Sequence, residues 1–154
     1  SSQILAKFII NKNKFKFKKL IFMFQKELAD RILAKVNSSN YGRFSILANW
    51  KFDIEKVIDI KPNSFLPKPK ISSSLLIFNP KTPSIKLKNP KNLEYVTSVF
   101  FNQRRKKIKK PMNILFKNSL DISKKLKLNL DLRPQNVSPE VFYQLTKEYE
   151  NLRS

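Results

Sequence analysis

The chain has 154 residues, of which 41% are hydrophobic, so it is long enough to bury one ordinary core. Thirty-two Lys and Arg residues against eleven Asp and Glu residues give a formal charge of +21, which calls for a polyanionic partner. Because the sequence has neither Cys nor His, it excludes disulfides, thiolate nucleophiles, imidazole bases and the usual zinc ligands.

The apolar runs of the sequence are too short to cross a membrane. Leu20–Phe24 and Leu75–Phe78 have the length of buried strands, whereas a span needs about 18 apolar residues. The basic clusters do not lie opposite an exposed apolar stripe, which argues against attachment to a membrane surface. No signal peptide is visible. We therefore expect a cytoplasmic protein without a membrane partner, whose polyanion is a nucleic acid.

The first predicted elements alternate between helix and strand. Ser2–Ile10 has the pattern of a short helix, and a basic loop follows at Asn11–Lys16. Leu20–Phe24 is a fully apolar strand. Gln25–Val36 places its apolar residues on one helical stripe. A strand followed directly by an amphipathic helix is the βα unit of an α/β sheet.

The next elements are a helix, two strands and a stiff loop. Phe44, Leu47 and Trp50 recur at helical spacing. Two strands are predicted at Ile54–Ile60 and Ser73–Phe78. The segment between them contains Pro62, Pro67 and Pro69, which cannot donate to a strand ladder and bias their neighbours toward extended backbone.

The rest of the chain is predicted to be helical after a linker at Asn79–Pro90. A helix around Leu93–Phe100 is expected to continue into basic residues until Pro111 ends it. Ser138 followed by Pro139 is a good helix start. The buried side of that last helix is predicted to carry Val141, Leu145, Tyr149 and Leu152. We therefore predict two domains, residues 1–83 and 84–154.

The densest positive charge lies between positions 104 and 110, where six of seven residues are cationic. These residues are Arg104, Arg105, Lys106, Lys107, Lys109 and Lys110. On a helix they would cover most of the circumference, which favours contact with RNA phosphates over an ordinary solvated face. No acidic residue lies between Glu94 and Asp121 to neutralise them.

The proline-rich loop is a second candidate site. Phe65 stands beside Lys68 and Lys70, so its ring is placed to stack on an unstacked base while the lysines contact phosphates. The alternative is that Phe65 fills the core under the loop.

Two further candidates are weaker. Arg43 follows Gly42 at a helix start, where it could hold a phosphate. Gln25, Lys26 and Glu27 lie at a strand end, where α/β enzymes place functional groups. Equally, Glu27 fits a role in which it only stabilises the N-terminus of the following helix.

Four stretches together resemble the ribosomal RNA adenine dimethyltransferases, and the last of them resembles the small-subunit type. They are Met23–Arg31 (MFQKELADR), Asn37–Ser45 (NSSNYGRFS), Pro62–Ser73 (PNSFLPKPKISS) and Phe101–Lys106 (FNQRRK). Leu132–Ser138 (LRPQNVS) is similar to that type as well. The resemblance implies an α/β fold, in which residues 1–83 are the distal half of a Rossmann-like methyltransferase sheet and a small all-α domain follows.

The resemblance also implies a reaction. S-adenosylmethionine donates methyl groups to the exocyclic amine of a flipped adenine, and Phe65 occupies the position of an aromatic that stacks on that base. The glycine-rich loop for the donor and the Asn-Leu-Pro-Tyr motif for the amine are not in this sequence, which has no initiator Met and only one glycine. We therefore expect a C-terminal part of such an enzyme, with no cofactor or metal site of its own.

From these observations we expect a monomer that binds small-subunit ribosomal RNA or the immature small ribosomal subunit without turnover, while the complete parent is the methyltransferase. The alternative is a stand-alone basic protein, without catalysis, that binds RNA or assists ribosome assembly.

Overall fold

The computed structural model describes residues 2–10 and 16–154, so most of the predicted basic loop at Asn11–Lys16 lies outside the described residues. The helices are α1 (Ser2–Ile10), α2 (Lys26–Leu33), α3 (Arg43–Lys51), α4 (Pro90–Phe101), α5 (Lys109–Leu115), α6 (Ser119–Lys125) and α7 (Pro139–Asn151). The strands are β1 (Leu20–Gln25), β2 (Phe52–Ile60) and β3 (Ser73–Pro80). Each strand and helix predicted above is present, with boundaries shifted by a few residues except for the helix predicted to continue to Pro111.

The three strands form one sheet in the order β1, β3, β2. Both neighbours run antiparallel to β3, so β1 and β2 are parallel to each other. At one end of the sheet Ser73 is paired with Gln25 and with Ile60. A bulge near Val57 interrupts the pairing of β2. The fold is therefore α/β, with a small sheet and several helices.

The two faces of the sheet differ in burial. One face packs aromatic rings against the helices, with Phe22 and Phe52 each 5.7 Å from Phe78 between ring centroids. On the opposite face Ile21 is 57% exposed and Met23 is 49% exposed. The apolar strand β1 is thus only half-buried, because alternate side chains point to opposite faces and the described helices cover only one of them.

The helices α4 to α7 are packed onto the same core as the sheet. Phe100 of α4 and Phe142 of α7 meet edge to face at 5.2 Å. The hydroxyl of Tyr143 donates to the Ile46 carbonyl at 2.7 Å, which joins α7 to α3. Leu87 is 1% exposed, so the predicted linker contributes to this core. The division into residues 1–83 and 84–154 stays a prediction.

The buried carboxylate of Glu150 holds that linker against α7. It accepts hydrogen bonds from the backbone N–H groups of Lys88 at 2.8 Å and Asn89 at 3.0 Å, and from Asn92 Nδ2 at 3.0 Å. Burial raises the pKa of Glu150, but these hydrogen bonds and the positive charge of Lys147 outweigh that effect and lower it. The carboxylate therefore pairs the N–H of Asn89, the N-cap residue of α4, and the N–H of Lys88 that precedes it.

Two predictions about helix ends need correction. The helix at Leu93–Phe100 ends at Phe101, well before Pro111. Pro111 instead lies in the first turn of α5, where its missing N–H has no partner to lose. Ser138 does cap α7, since its side chain accepts from the Val141 N–H. Leu152, predicted on the buried side of that helix, lies beyond its end and is 53% exposed.

Candidate nucleic-acid interface

Phe65 lies on the loop of residues 61–72, which connects β2 to β3 at one end of the sheet. The loop begins with a single 3-10 turn at Pro62–Ser64, where irregular backbone was predicted. The N–H of Phe65 donates to the Pro62 carbonyl at 3.3 Å. The ring is half-buried, and it is not among the residues that form the described core or pack against it. This placement favours a surface role over the core-filling alternative.

The base of this loop is held by a small polar network. Ser74, which is fully buried, donates from its hydroxyl to Asp59 Oδ1 at 2.6 Å. Lys56 Nζ donates to Asp59 Oδ2 at 3.1 Å, and the N–H of Lys26 donates to the Ser72 carbonyl at 2.9 Å. The hydrogen bond from Ser74, followed by that from Lys56, lowers the pKa of Asp59. Sequence reasoning missed this network, because it depends on the pairing of β2 with β3.

The other candidates at this end of the sheet have different surroundings. Lys68 and Lys70 are exposed. Lys26 Nζ contacts Asp30 at 3.1 Å, one turn along α2. Glu27 accepts from Arg31 at 2.6 Å, an exposed pair on the same helix. Glu27 therefore has a local helix partner, in line with the stabilising role considered above.

Arg43 begins α3 and is turned toward α4. Its Nη2 donates to the Glu94 carbonyl at 3.2 Å. Its Nε is buried and has no hydrogen-bond partner among the residues that the structure describes. Arg43 thus links the two helices, and a contact with phosphate at this position stays a prediction.

The basic stretch of residues 104–110 forms the turn between α4 and the start of α5, where a continuous helix was expected. Arg104 donates from Nη2 to the carbonyls of Ser39 at 2.6 Å and Tyr41 at 3.0 Å. Lys107 forms an ion pair with Asp131 at 2.8 Å. The side chains of Arg105, Lys106, Lys109 and Lys110 are exposed and form no hydrogen bond or ion pair within residues 2–10 and 16–154.

A shallow cleft of about 500 Å³ borders this turn. It is lined by Lys107, Lys109, Lys110, Asn113 and Ile114. Sequence reasoning identified the three lysines but not Asn113 and Ile114. The sequence signal was the apolar pair Met112 and Leu115, three residues apart, which predicts one buried side of a helix and leaves Asn113 and Ile114 off that side.

The loop of Phe65 connects β2 to β3, whereas the basic turn connects α4 to α5. No hydrogen bond or ion pair joins them in the described portion of the chain. Arg104 is instead connected to the segment before α3, through its contacts with Ser39 and Tyr41. The structure thus provides two candidate regions for contact with RNA.

The surroundings of the single glycine do not fit S-adenosylmethionine. A donor cradle needs glycine where backbone approaches the ligand closely or takes a positive φ. Gly42 has extended backbone with φ −176°, and a methyl group in its place would lie 3.9 Å from Phe101, an ordinary contact. Nothing around Gly42 therefore requires a glycine.

Among the residues that the structure describes, no helix is both long and apolar enough to cross a membrane. Among the same residues no group of three or more acidic side chains is arranged to hold a metal ion.

Known proteins resemble this chain over nearly its whole length. The sequence model of a family described as Ribosomal RNA adenine dimethylase matches residues 1–151. Ribosomal RNA small subunit methyltransferase A from Pelagibacter ubique is 54% identical, and the match covers 99% of this chain and 59% of that protein. The protein of the same name from Borreliella burgdorferi is 39% identical, with 95% of this chain and 50% of the relative covered.

A solved structure shows the same fold. The dimethyladenosine transferase from Plasmodium falciparum superposes with a TM-score of 0.80 at 26% identity, covering 98% of this chain and 63% of that one. The chain thus spans between half and three-fifths of the curated relatives' length. The family match, the identity and the shared fold agree with the motifs quoted above, and the chain belongs to the ribosomal RNA adenine dimethylase family.

Proposed function

We propose that the complete protein transfers methyl groups from S-adenosylmethionine to adenines of small-subunit ribosomal RNA during ribosome biogenesis. The relatives named Ribosomal RNA small subunit methyltransferase A support the reaction class and the RNA. This chain contributes RNA binding, and the donor site belongs to a part of the complete protein that the chain does not include.

The observation that carries the proposal is the group of exposed cations on the turn before α5 that form no ion pair among the described residues. Arg104 donates to the carbonyls of Ser39 and Tyr41, and these hydrogen bonds fix the turn. The exposed cations near it are Arg105, Lys106, Lys109 and Lys110. A cationic surface of defined shape binds the phosphates of a folded RNA with little ordering cost.

Phe65 contributes the stacking contact for the target adenine in this proposal. The Asp59–Ser74 hydrogen bond closes the base of its loop, its N–H donates to the Pro62 carbonyl, and its ring is half-buried. An aromatic ring in a fixed position offsets part of the cost of unstacking a base, since each stacking contact is worth about 1 to 3 kcal/mol.

An experiment with this chain by itself tests whether it binds RNA and lacks the donor site. It is incubated with small-subunit ribosomal RNA and S-adenosylmethionine carrying a labelled methyl group, and RNA binding and label transfer are measured together. The expected result is RNA binding with no transferred label and no calorimetric signal for the donor. Label transfer or donor binding by this chain would contradict the proposal that the donor site lies elsewhere.

A further inference from the structure

Ile114 is an apolar side chain exposed in the middle of a basic surface. It is 58% exposed, although it lies on α5 between two residues that are almost completely buried, Met112 at 0% and Leu115 at 7%. Together with Asn113 it lines the cleft of about 500 Å³ whose other lining residues are Lys107, Lys109 and Lys110. Because Ile114 shares this cleft with three lysines, the cleft presents positive charge and apolar surface side by side to a ligand.

Asn113 has a fixed orientation in this cleft. Its Oδ1 accepts a hydrogen bond of 2.6 Å from the hydroxyl of Ser119, which is 7% exposed at the start of α6. That bond fixes the orientation of the amide and leaves its NH₂ group, which can only donate, to bind a ligand. The cleft therefore offers one oriented donor beside one apolar side chain, within a cationic rim.

The cations on the rim select an anionic polymer. Lys109 and Lys110 are exposed, and the ion pair of Lys107 with Asp131 has side chains that are 66% and 73% exposed. Exposed pairs of this kind contribute little stability, so Lys107 can exchange its partner for a phosphate at low cost. The charge thus favours nucleic acid over a neutral or basic protein partner.

The residues inside the rim fit the chemistry of an RNA minor groove. The minor groove of an RNA duplex is wide and shallow and displays ribose 2′-hydroxyls, which accept hydrogen bonds and adjoin apolar ribose carbons. We propose that this cleft binds the minor-groove side of an RNA duplex, with the lysines on the phosphates, Asn113 on a 2′-hydroxyl and Ile114 packed on the sugar. The inference rests on the proposed RNA binding of the chain and adds the type of RNA structure and the residues that recognise it.

The test compares Ile114→Ala with Ile4→Ala. Ile4 is also an isoleucine on a helix and is 53% exposed, but it lies on α1. Affinities of the 154-residue chain are measured by fluorescence anisotropy for a labelled RNA hairpin and a DNA hairpin of the same sequence, at several salt concentrations. Lys109→Gln serves as the electrostatic reference, and circular dichroism checks that each variant is folded.

The proposal expects Ile114→Ala to weaken RNA binding by about five-fold without changing the salt dependence, because the lost contact is apolar. DNA binding should change by less, and Ile4→Ala should change neither. Lys109→Gln should instead reduce the slope of log affinity against log salt by about one.

Three results would overturn the inference. If Ile114→Ala binds RNA as wild type does, Ile114 does not contact RNA and the proposed mode of binding is wrong. Equal losses of affinity for the RNA and DNA hairpins would show that the cleft does not recognise a 2′-hydroxyl. A wild-type chain that binds RNA without salt dependence would overturn the proposed function itself, whereas the first two results leave that function standing.

Discussion

Arg104 and Arg105 are adjacent in the sequence and have different surroundings in the structure. Arg104 is half-buried and donates to two backbone carbonyls, whereas Arg105 is exposed and has no such partner among the described residues. The sequence identified the cationic stretch but could not separate these two roles, because the carbonyls of Ser39 and Tyr41 are more than sixty positions away. Another long-range contact that the sequence did not reveal is the hydrogen bond that the Tyr41 hydroxyl donates to the Val137 carbonyl at 2.7 Å.

Substitution of each arginine by alanine should therefore affect a different property of the protein. Arg104→Ala should lower the free energy of unfolding by about 1 to 2 kcal/mol, because it leaves two carbonyls without their charged donor. Arg105→Ala should change stability by less than about 0.5 kcal/mol and weaken RNA binding instead. Urea unfolding and RNA titration measure the two effects. Equal stability losses for both variants would contradict the structural role of Arg104.

A second prediction at this scale concerns Phe65. In a complete enzyme of the family, Phe65→Ala should reduce methyl transfer far more than RNA affinity, because the ring acts on the flipped base and not on the phosphates. Phe65→Trp should retain most of the transfer. Leu66→Ala is the neighbouring control, since Leu66 is fully exposed at 100%. Unchanged turnover in Phe65→Ala would remove this residue from the site.

Among the elements, helix interiors were predictable from the sequence and their ends were less so. The periodic apolar residues of α4 and α7 and the Ser138 cap are local signals. Pro111 misled the prediction because proline both ends helices and begins them, and the sequence does not say which. The hydrogen bonds that Glu150 accepts from residues near position 90 are long-range, so no local pattern reveals them.

Glu150 should make stability dependent on pH. Its pKa is lowered in the folded chain, so its contribution is present above the unfolded value of about 4.3 and is lost as the pH falls through the folded value. Glu150→Gln should therefore cost about 1 to 3 kcal/mol at pH 7, and the difference from wild type should shrink at lower pH.

The control for this prediction is Glu140→Gln, an exposed glutamate on the same helix. It should stay within about 0.5 kcal/mol of wild type across that range. Urea denaturation at pH 7 and at acidic pH gives both comparisons. A difference between Glu150→Gln and wild type that does not depend on pH would show that the carboxylate charge is not the cause.

For the whole molecule, the main property that the sequence did not reveal is the uneven cover of the sheet. An apolar strand of five or six residues fits burial on both faces or on one, and only the packing of the helices decides between them. Ile21, Met23 and Ile58 are 57%, 49% and 55% exposed. In the described part of the chain the outer edge of β1 pairs with no strand.

This uncovered apolar face should make self-association depend on salt. The charge of +21 keeps molecules apart at low ionic strength, and screening at about 1 M salt removes that repulsion. We expect light scattering to rise with salt for wild type and to stay low for Ile21→Lys with Met23→Lys. Leu120→Lys, at an apolar position 62% exposed on α6, is the control and should associate as wild type does. The same association in the double variant would show that this face is not responsible.

The most direct test of RNA binding by this chain is the salt dependence of its affinity for small-subunit ribosomal RNA. The predicted RNA-binding residues that remain exposed without an ion pair among the described residues are Lys68, Lys70, Arg105, Lys106, Lys109 and Lys110. About six phosphate contacts predict a slope of log affinity against log salt of roughly −4 to −5. A measured slope in that range supports the account, whereas a slope near −1 would contradict it.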